Sequence, residues 1–347
     1  MMIAAKRLLA MALAILLLAC GSPNRDTAPA TSPSHAPTDT VNTPSEPSDG
    51  IVYFSTDHGL TWKNTSTGLP ATTRIGLGGI AVSGNKLALL SKDSGLYFFD
   101  NQNDRWMNIP TDRQLIESNP GALLFYNDHL YAGTQWGGVF HSENEGKSWT
   151  KRNTGLGSLT IRKFAQIDRK LYAATNAGLY SYNDLRNEWE LEYGNRTLQV
   201  NGIAALDGYV YVATNQGAFR SPIGKRDWQK IFSDGALHNI SSDGNMLYAM
   251  VYNELFSSAD KGTSWRLIQS GLPTQLYTFH VIRSGNALLA AQWDGVYRKD
   301  NESGDWKFSS TGLPDGLAIA NMISYNGAVV VSGSERKLRA GMTTHKN

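Results

Sequence analysis

Ser258-Ala259-Asp260-Lys261-Gly262-Thr263-Ser264-Trp265 and Ser55-Thr56-Asp57-His58-Gly59-Leu60-Thr61-Trp62 are the same eight-residue phrase, and Ser142-Glu143-Asn144-Glu145-Gly146-Lys147-Ser148-Trp149 repeats it with Asn for Asp. The residue types describe a tight hairpin. Ser and Asp oxygens accept backbone N–H bonds across the turn, and Gly takes the φ > 0 position. Trp is large and apolar with a single donor, so it suits a wedge between packed elements. Working outward, Trp recurs at 62, 106, 149, 189, 228, 265 and 306, at intervals of 44, 43, 40, 39, 37 and 41 residues. Trp136 and Trp293 fall off this register.

A period near forty with strand-like content is the pattern of propeller blades. Each period holds an apolar segment ending near Ile80, Leu123, Phe164, Ile203, Ile240, Val281 or Met322, and a second strand begins seven residues on. A third follows a short turn, as in Gly178-Leu179-Tyr180, and the Trp segment is the fourth. β-branched and aromatic residues bounded by Gly, Asn and Asp support strands throughout. The expected fold is all-β, a seven-bladed propeller of four-stranded antiparallel blades over residues 50–347. Residues 50–62 supply only third and fourth strands and 318–332 only first and second. The two chain ends thus complete one blade and leave no open sheet edge. Lys337-Leu338-Arg339-Ala340 also aligns with a third strand, so one segment must be displaced.

The eight-residue phrase resembles the Asp-box, or BNR repeat, S-x-D-x-G-x-[ST]-W. Asp-box propellers include sialidases, other glycoside hydrolases, sortilin-like receptors and photosystem II assembly factors of the Ycf48/HCF136 type. This chain resembles the last group in blade number, size and an N-terminal lipoprotein signal, and that resemblance implies a protein that holds partners. The box residues Ser55, Asp57, Gly59, Trp62, Ser258, Asp260, Gly262 and Trp265 are expected to be structural, because their chemistry is turn formation.

At the N-terminus, Lys6-Arg7 precede an apolar run, Leu8 to Ala19, too short to span a bilayer and of signal-peptide proportions. Leu17-Leu18-Ala19-Cys20-Gly21 resembles a bacterial lipobox, which implies cleavage before Cys20 and acylation of that residue. The expected organisation is a signal peptide over 1–19, acylated Cys20 opening a tether to residue 49, and the propeller. Six of the twelve prolines fall in that tether among Ser and Thr, without apolar periodicity to repay ordering. The implied location is the bacterial cell envelope, with the domain outside the cytoplasm. Gly21, in place of an Asp retention signal, favours the outer membrane.

Composition narrows the function. Removing Lys6 and Arg7 from 32 basic residues leaves 30 against 30 acidic ones. A neutral chain has no general attraction for a phosphate backbone, so nucleic acid is not an expected partner. One Cys excludes intrachain disulfides, and the seven His show no H-x-H or H-E-x-x-H spacing, so no metal or cofactor is expected. A sialidase-like exo-glycosidase would need an arginine cluster, for which Arg74, Arg162 and Arg196 are the candidates, and a carboxylate pair drawn from Asp93, Asp294 and Glu335.

The better candidate site is a rim. The turns between second and third strands should lie opposite the Asp-boxes, near the channel mouth. One equivalent position round the ring reads Asp93, Trp136, Asn176, Asn215, Tyr252, Trp293 and Glu335. Aromatics flanked by amides and carboxylates suit a protein side chain or a sugar ring. The expected function is a membrane-anchored, non-catalytic protein-binding or assembly scaffold, monomeric, with a protein or glycan partner. The alternatives are the glycosidase and a lectin-type propeller. If Cys20 carries the anchor, Cys20→Ala should move the protein from the membrane fraction to a soluble or uncleaved form. Unchanged, detergent-dependent membrane association of that variant would contradict the anchor.

Overall fold

The computed structural model describes residues 50–333 except 234, 275, 276, 302 and 303. Cys20, the signal and tether, Glu335 and the segment 337–340 lie outside the described residues. The strands form seven four-stranded antiparallel sheets arranged as a seven-bladed propeller. In chain order, blades 1 to 6 span residues 75–109, 120–151, 161–193, 200–232, 237–267 and 278–308. Blade 3 is typical, with strands Ile161–Ile167, Lys170–Thr175, Gly178–Asn183 and Glu188–Tyr193. The first strands of successive blades touch one another round the ring and line its centre. They run past the apolar residues where the sequence suggested their ends, to Ser83, Tyr126 and Ile167 in blades 1 to 3. A two-residue turn, such as Asp168-Arg169, suffices to reach the next strand, so the ladder extends to it.

Blade 7 is closed by both ends of the domain. Its order is Lys63–Asn64, Val52–Ser55, Ala328–Gly333, Ile319–Tyr325. Val52 pairs with Ser332 and Ser55 with Val329, so Val52–Ser55 holds the third-strand position. The core is distributed between blades. Tyr131 of blade 2 packs with Phe164 and Trp189 of blade 3, and Leu289 of blade 6 with Trp62 and Val331 of blade 7.

The register tryptophans do more than fill these seams. Trp62, Trp106, Trp189 and Trp306 each grip the preceding blade twice. The backbone N–H donates to Thr311, Thr67, Thr154 and Ser270 O at 2.8–2.9 Å. The indole N–H donates two residues upstream, to Ser309, Thr65, Arg152 and Ile268 O at 2.7–2.8 Å. A glycine follows each gripped Thr or Ser, and these clasps follow fourth strands only two residues long (Lys63–Asn64, Thr150–Lys151, Arg266–Leu267, Lys307–Phe308). Where the fourth strand is longer, the clasp is reduced. Trp228 and Trp265 keep the indole bond, to Glu192 and Ile231 O. After blade 1 the chain instead enters a five-residue helix, Arg113–Glu117, and the buried indole N–H of Trp149 has no partner among the described residues.

The Asp-box turns brace the outer hairpins. Ser55 Oγ accepts Gly59 N–H at 2.8 Å, and Asp57 Oδ1 accepts Leu60 and Thr61 N–H at 3.0 and 2.9 Å. Ser258 and Asp260 repeat the arrangement, and Asn144 accepts Ser148 N–H at 2.9 Å. Burial pushes the Asp57 carboxyl up, but the bonds from Thr61, Ser55 and Leu60 outweigh it and hold the group down at about 2. Bonds from Ser264 and Ser258 hold Asp260 at about 2. Both groups are depressed, so what they add to stability is complete above the ordinary carboxylate range and lost as pH falls towards 2.

The clasp makes a sharp demand on glycine. Gly312 has φ +93°, and a Cβ there would lie 2.1 Å from Trp62 O, whereas a Cβ on Gly84 (φ +53°) meets nothing within 4 Å. Gly312→Ala should therefore destabilise by more than about 3 kcal/mol, combining backbone strain with a broken closure. Gly84→Ala should cost only about 1 kcal/mol, the αL penalty alone. Urea unfolding of both variants checks this, and equal costs would contradict the clasp.

Candidate functional site

Each inner strand opens with an irregularity. In blade 3 the register runs Ile161 with Thr175, then Lys163 with Ala174, leaving Arg162 as the extra residue. The same one-residue bulge sits at Gly121, Asn201, His238, Phe279 and Ala320. In blade 1 it widens to Gly76–Gly79. A bulge re-aims side chains, and here it does so at one mouth of the channel. Thr278 pairs with Gln292, so the bulged ends lie beside the turns between second and third strands.

The bulge residues and their successors bind blade to blade. Asn201 Nδ2 donates to Leu237 O (2.7 Å) and Asn239 Nδ2 to Phe279 O (2.7 Å). Asn321 Nδ2 closes the circle onto Gly76 O at 2.9 Å. His238 Nε2 lies 2.9 Å from Thr278 O and His280 Nε2 3.2 Å from Ala320 O. A carbonyl only accepts, so both histidines carry a proton on Nε2. Burial and the neighbouring Lys163 charge push His280 down to about 3, and burial lowers His238, so both stay neutral near pH 7.

The channel wall is uneven. Blades 1 and 2 meet backbone to backbone, where a Cβ on Gly76 would come within 2.6 Å of Gly121 Cα. Blades 3 to 6 supply the side chains. The result is a cavity of about 380 Å³ lined by Arg162, Lys163, Asn201, His238, Asn239, His280 and the rings of Tyr277, Phe279 and Trp293, with Leu77 and Gly78 opposite. Lys163 Nζ reaches across blade 4 to Asn239 Oδ1 at 3.1 Å. Gly202 leaves that path open, since a Cβ there would sit 2.5 Å from the same oxygen. Burial pushes the Lys163 ammonium down to about 8 and lowers Arg162.

The rim positions divide into two kinds. Tyr252 and Trp293 join one aromatic cluster through residues the sequence reading did not single out. Ring centroids are 4.7 Å apart for Tyr252 and Tyr277, 6.2 Å for Tyr277 and Phe279, and 5.2 Å for Phe279 and Trp293. Tyr252 is 57% exposed. Trp136 is 62% exposed and does not line this cavity. Asp93, Asn176 and Asn215 are held within their own surroundings. Asp93 pairs with Arg74 (3.1 Å) and accepts from Ser91 (2.7 Å). Asn176 accepts from Arg162 Nε (2.7 Å), and Asn215 accepts from Gln199 N (3.1 Å). Of the three arginines considered for a sugar carboxylate, only Arg162 is in the lining. Asp294 accepts from Tyr297 (2.9 Å), and burial raises its pKa.

Lys163, Asn239, Tyr277, Phe279 and His280 were missed. Their signal was a polar or aromatic residue at one place in four successive inner strands, Arg162, Asn201, His238 and Phe279, with Lys163, Asn239 and His280 next to it, where strand periodicity alone asks for apolar ones.

On the opposite face, His129, His141 and Glu143 lie close enough to consider a metal. His129 Nδ1 faces His141 Nε2 at 3.0 Å, whereas Glu143 lies 3.9 Å from the other nitrogen of His141. Arg152 is 3.4 Å from that same nitrogen and 3.8 Å from Glu143, so it already supplies positive charge there. Geometrically this is a hydrogen-bonded network packed on Tyr131.

No family model and no curated protein matches the sequence. Solved structures do match in shape. The extracellular domain of the hybrid two component system BT4673 of B. thetaiotaomicron aligns with TM-score 0.65 and 14% identity over 82% of this chain. This chain spans only 39% of that one. YCF48 from Cyanidioschyzon merolae aligns at 0.60 and 13% identity over 79% of this chain and 97% of its own, and YCF48 bound to D1 peptide at 0.60 and 11%, over 78% and 96%. The GH74 enzyme of Niastella koreensis aligns at 0.59 and 14%, over 80% and 56%. No helix among the described residues is long and apolar enough to cross a membrane. At these identities the likeness is one of architecture: the chain has a seven-bladed propeller fold that it shares with YCF48, bacterial extracellular domains and a GH74 enzyme.

Proposed function

We propose that this protein is an extracytoplasmic, lipid-anchored propeller that binds a partner protein at the channel mouth and performs no chemistry on it. The observation that carries the reading is the continuous aromatic surface of Tyr252, Tyr277, Phe279 and Trp293 beside an open cavity. Exposed aromatics next to a concave, partly apolar surface have the composition of binding hot spots. A glycosidase would need two carboxylates about 5–9.5 Å apart; the described lining holds cations, amides, imidazoles and rings, and Glu335 lies outside the described residues. Asp93 and Asp294 are engaged in their own turns. YCF48, similar in fold, has been solved with a bound peptide, which offers a precedent for peptide capture by such a ring. The anchor rests on Cys20 and its flanking residues.

The test is capture of partners by the full chain and by Trp293→Ala and Tyr252→Ala. Each substitution should weaken capture by at least tenfold, as loss of a hot spot of about 2 kcal/mol requires. Thermal unfolding should stay near wild type. A lowered melting temperature with unaltered capture would assign the rings to packing and overturn the proposal. Release of reducing sugar from a glycan panel would support the glycosidase instead.

A further inference from the structure

Arg162 and Lys163 are cations without counter-charges. Among the described residues neither has a carboxylate within 4 Å. Arg162 Nε donates to Asn176 Oδ1 and Lys163 Nζ to Asn239 Oδ1, both neutral amides. Several other cations of the domain do have carboxylate partners. Arg283 pairs with Asp243 at 2.7 Å, Arg226 with Glu192 at 3.0 Å, and Lys170 with Glu192 at 2.7 Å. Lys163 is half-buried and Arg162, its neighbour at the mouth, is exposed; withdrawing a cation even partly from water without a paired anion is unfavourable, yet Lys163 is placed so in this cavity. Their charge is not offset nearby, because His238 and His280 are neutral and the described lining has no acid. Facing them across the cavity are the rings of blade 6, Tyr277, Phe279 and Trp293. One further atom is unoccupied. Asn201 Oδ1 is buried and accepts no bond from the described residues, while its Nδ2 is committed to Leu237 O.

We infer that the channel mouth binds an organic carboxylate carried on an aromatic or apolar ring, with one N–H or O–H donor near the acid. The carboxylate takes Arg162 and Lys163 in charge-assisted bonds. The ring stacks on Phe279 and Trp293, and the donor meets Asn201 Oδ1. The inference rests on the reading of the mouth as a binding site. A cavity of about 380 Å³ suits a ligand of that size or the end of a larger one.

N-acetylphenylalanine has all three features, and N-acetylphenylalaninamide lacks only the charge. Titrated against the full chain, the acid should bind saturably and at least tenfold more tightly than the amide. It should raise the melting temperature by about 5 °C at a concentration a hundredfold above Kd. Lys163→Met should lose at least tenfold in affinity for the acid, leave the amide unchanged and melt no lower than wild type, since it removes a half-buried cation that has no counter-charge. Lys163→Arg should restore binding. Affinity for the acid should fall as pH rises through about 8, where Lys163 loses its proton. Arg162 remains charged there, and His280 and His238 are already neutral. A heptapeptide ending in a free-acid phenylalanine separates the sources: tenfold tighter binding than the single residue assigns the site to a polypeptide C-terminus, and equal binding assigns it to a free small acid. Equal affinity of acid and amide, or no saturable binding of the acid up to 10 mM, overturns the inference. If Trp293→Ala nonetheless abolishes partner capture, the binding site stands and only its charge preference falls.

Discussion

At four of its seven seams the ring is held by a tryptophan that grips the blade before it through two carbonyls. Blades have no covalent reason to remain adjacent, and an isolated four-stranded sheet would expose an apolar face on each side. The clasp solves both problems at one residue: the indole fills the seam, and its N–H with the backbone N–H fixes the register of the neighbouring blade. Bonds of this kind contribute about 1 kcal/mol each when buried, and Trp62 makes them onto Ser309 and Thr311 where the ring closes. That closure acts together with the ladder that pairs Val52–Ser55 with Ala328–Gly333 from the other end of the domain.

That dependence explains why the fold was legible. A residue that must be Trp, followed forty positions on by another, is a strong one-dimensional signal, and the turn glycines reinforce it because side chains cannot enter their conformation. The closing blade followed by subtraction from the same repeat. The ends of the inner strands were less legible, since a two-residue hairpin leaves no polar gap to mark them. The helix Arg113–Glu117, which displaces the clasp of Trp149, had no marker strong enough to override the repeat.

The site was half legible for a related reason. Tyr252 and Trp293 stood out because a solvent-facing turn has no packing need for large rings. Their partner Phe279 and the cations Arg162 and Lys163 lie on inner strands, and Tyr277 immediately precedes one. What places them at the mouth is a β-bulge, and a bulge is a property of pairing between strands that no single stretch announces. The bulges also divide the channel. Glycine in blades 1 and 2 lets two backbones touch, and blades 3 to 6 fill the space this leaves with amides, imidazoles and rings. A sevenfold scaffold thereby presents a one-sided surface.

The most direct measurement is site-specific photo-crosslinking in cells that make the full chain. A photoreactive residue at Tyr252, beside the aromatic surface, should give discrete crosslinked species. The same residue at Leu185, which is 99% exposed on the opposite face, should give none. Crosslinks from position 185 with none from 252 would contradict the placement of function at the channel mouth.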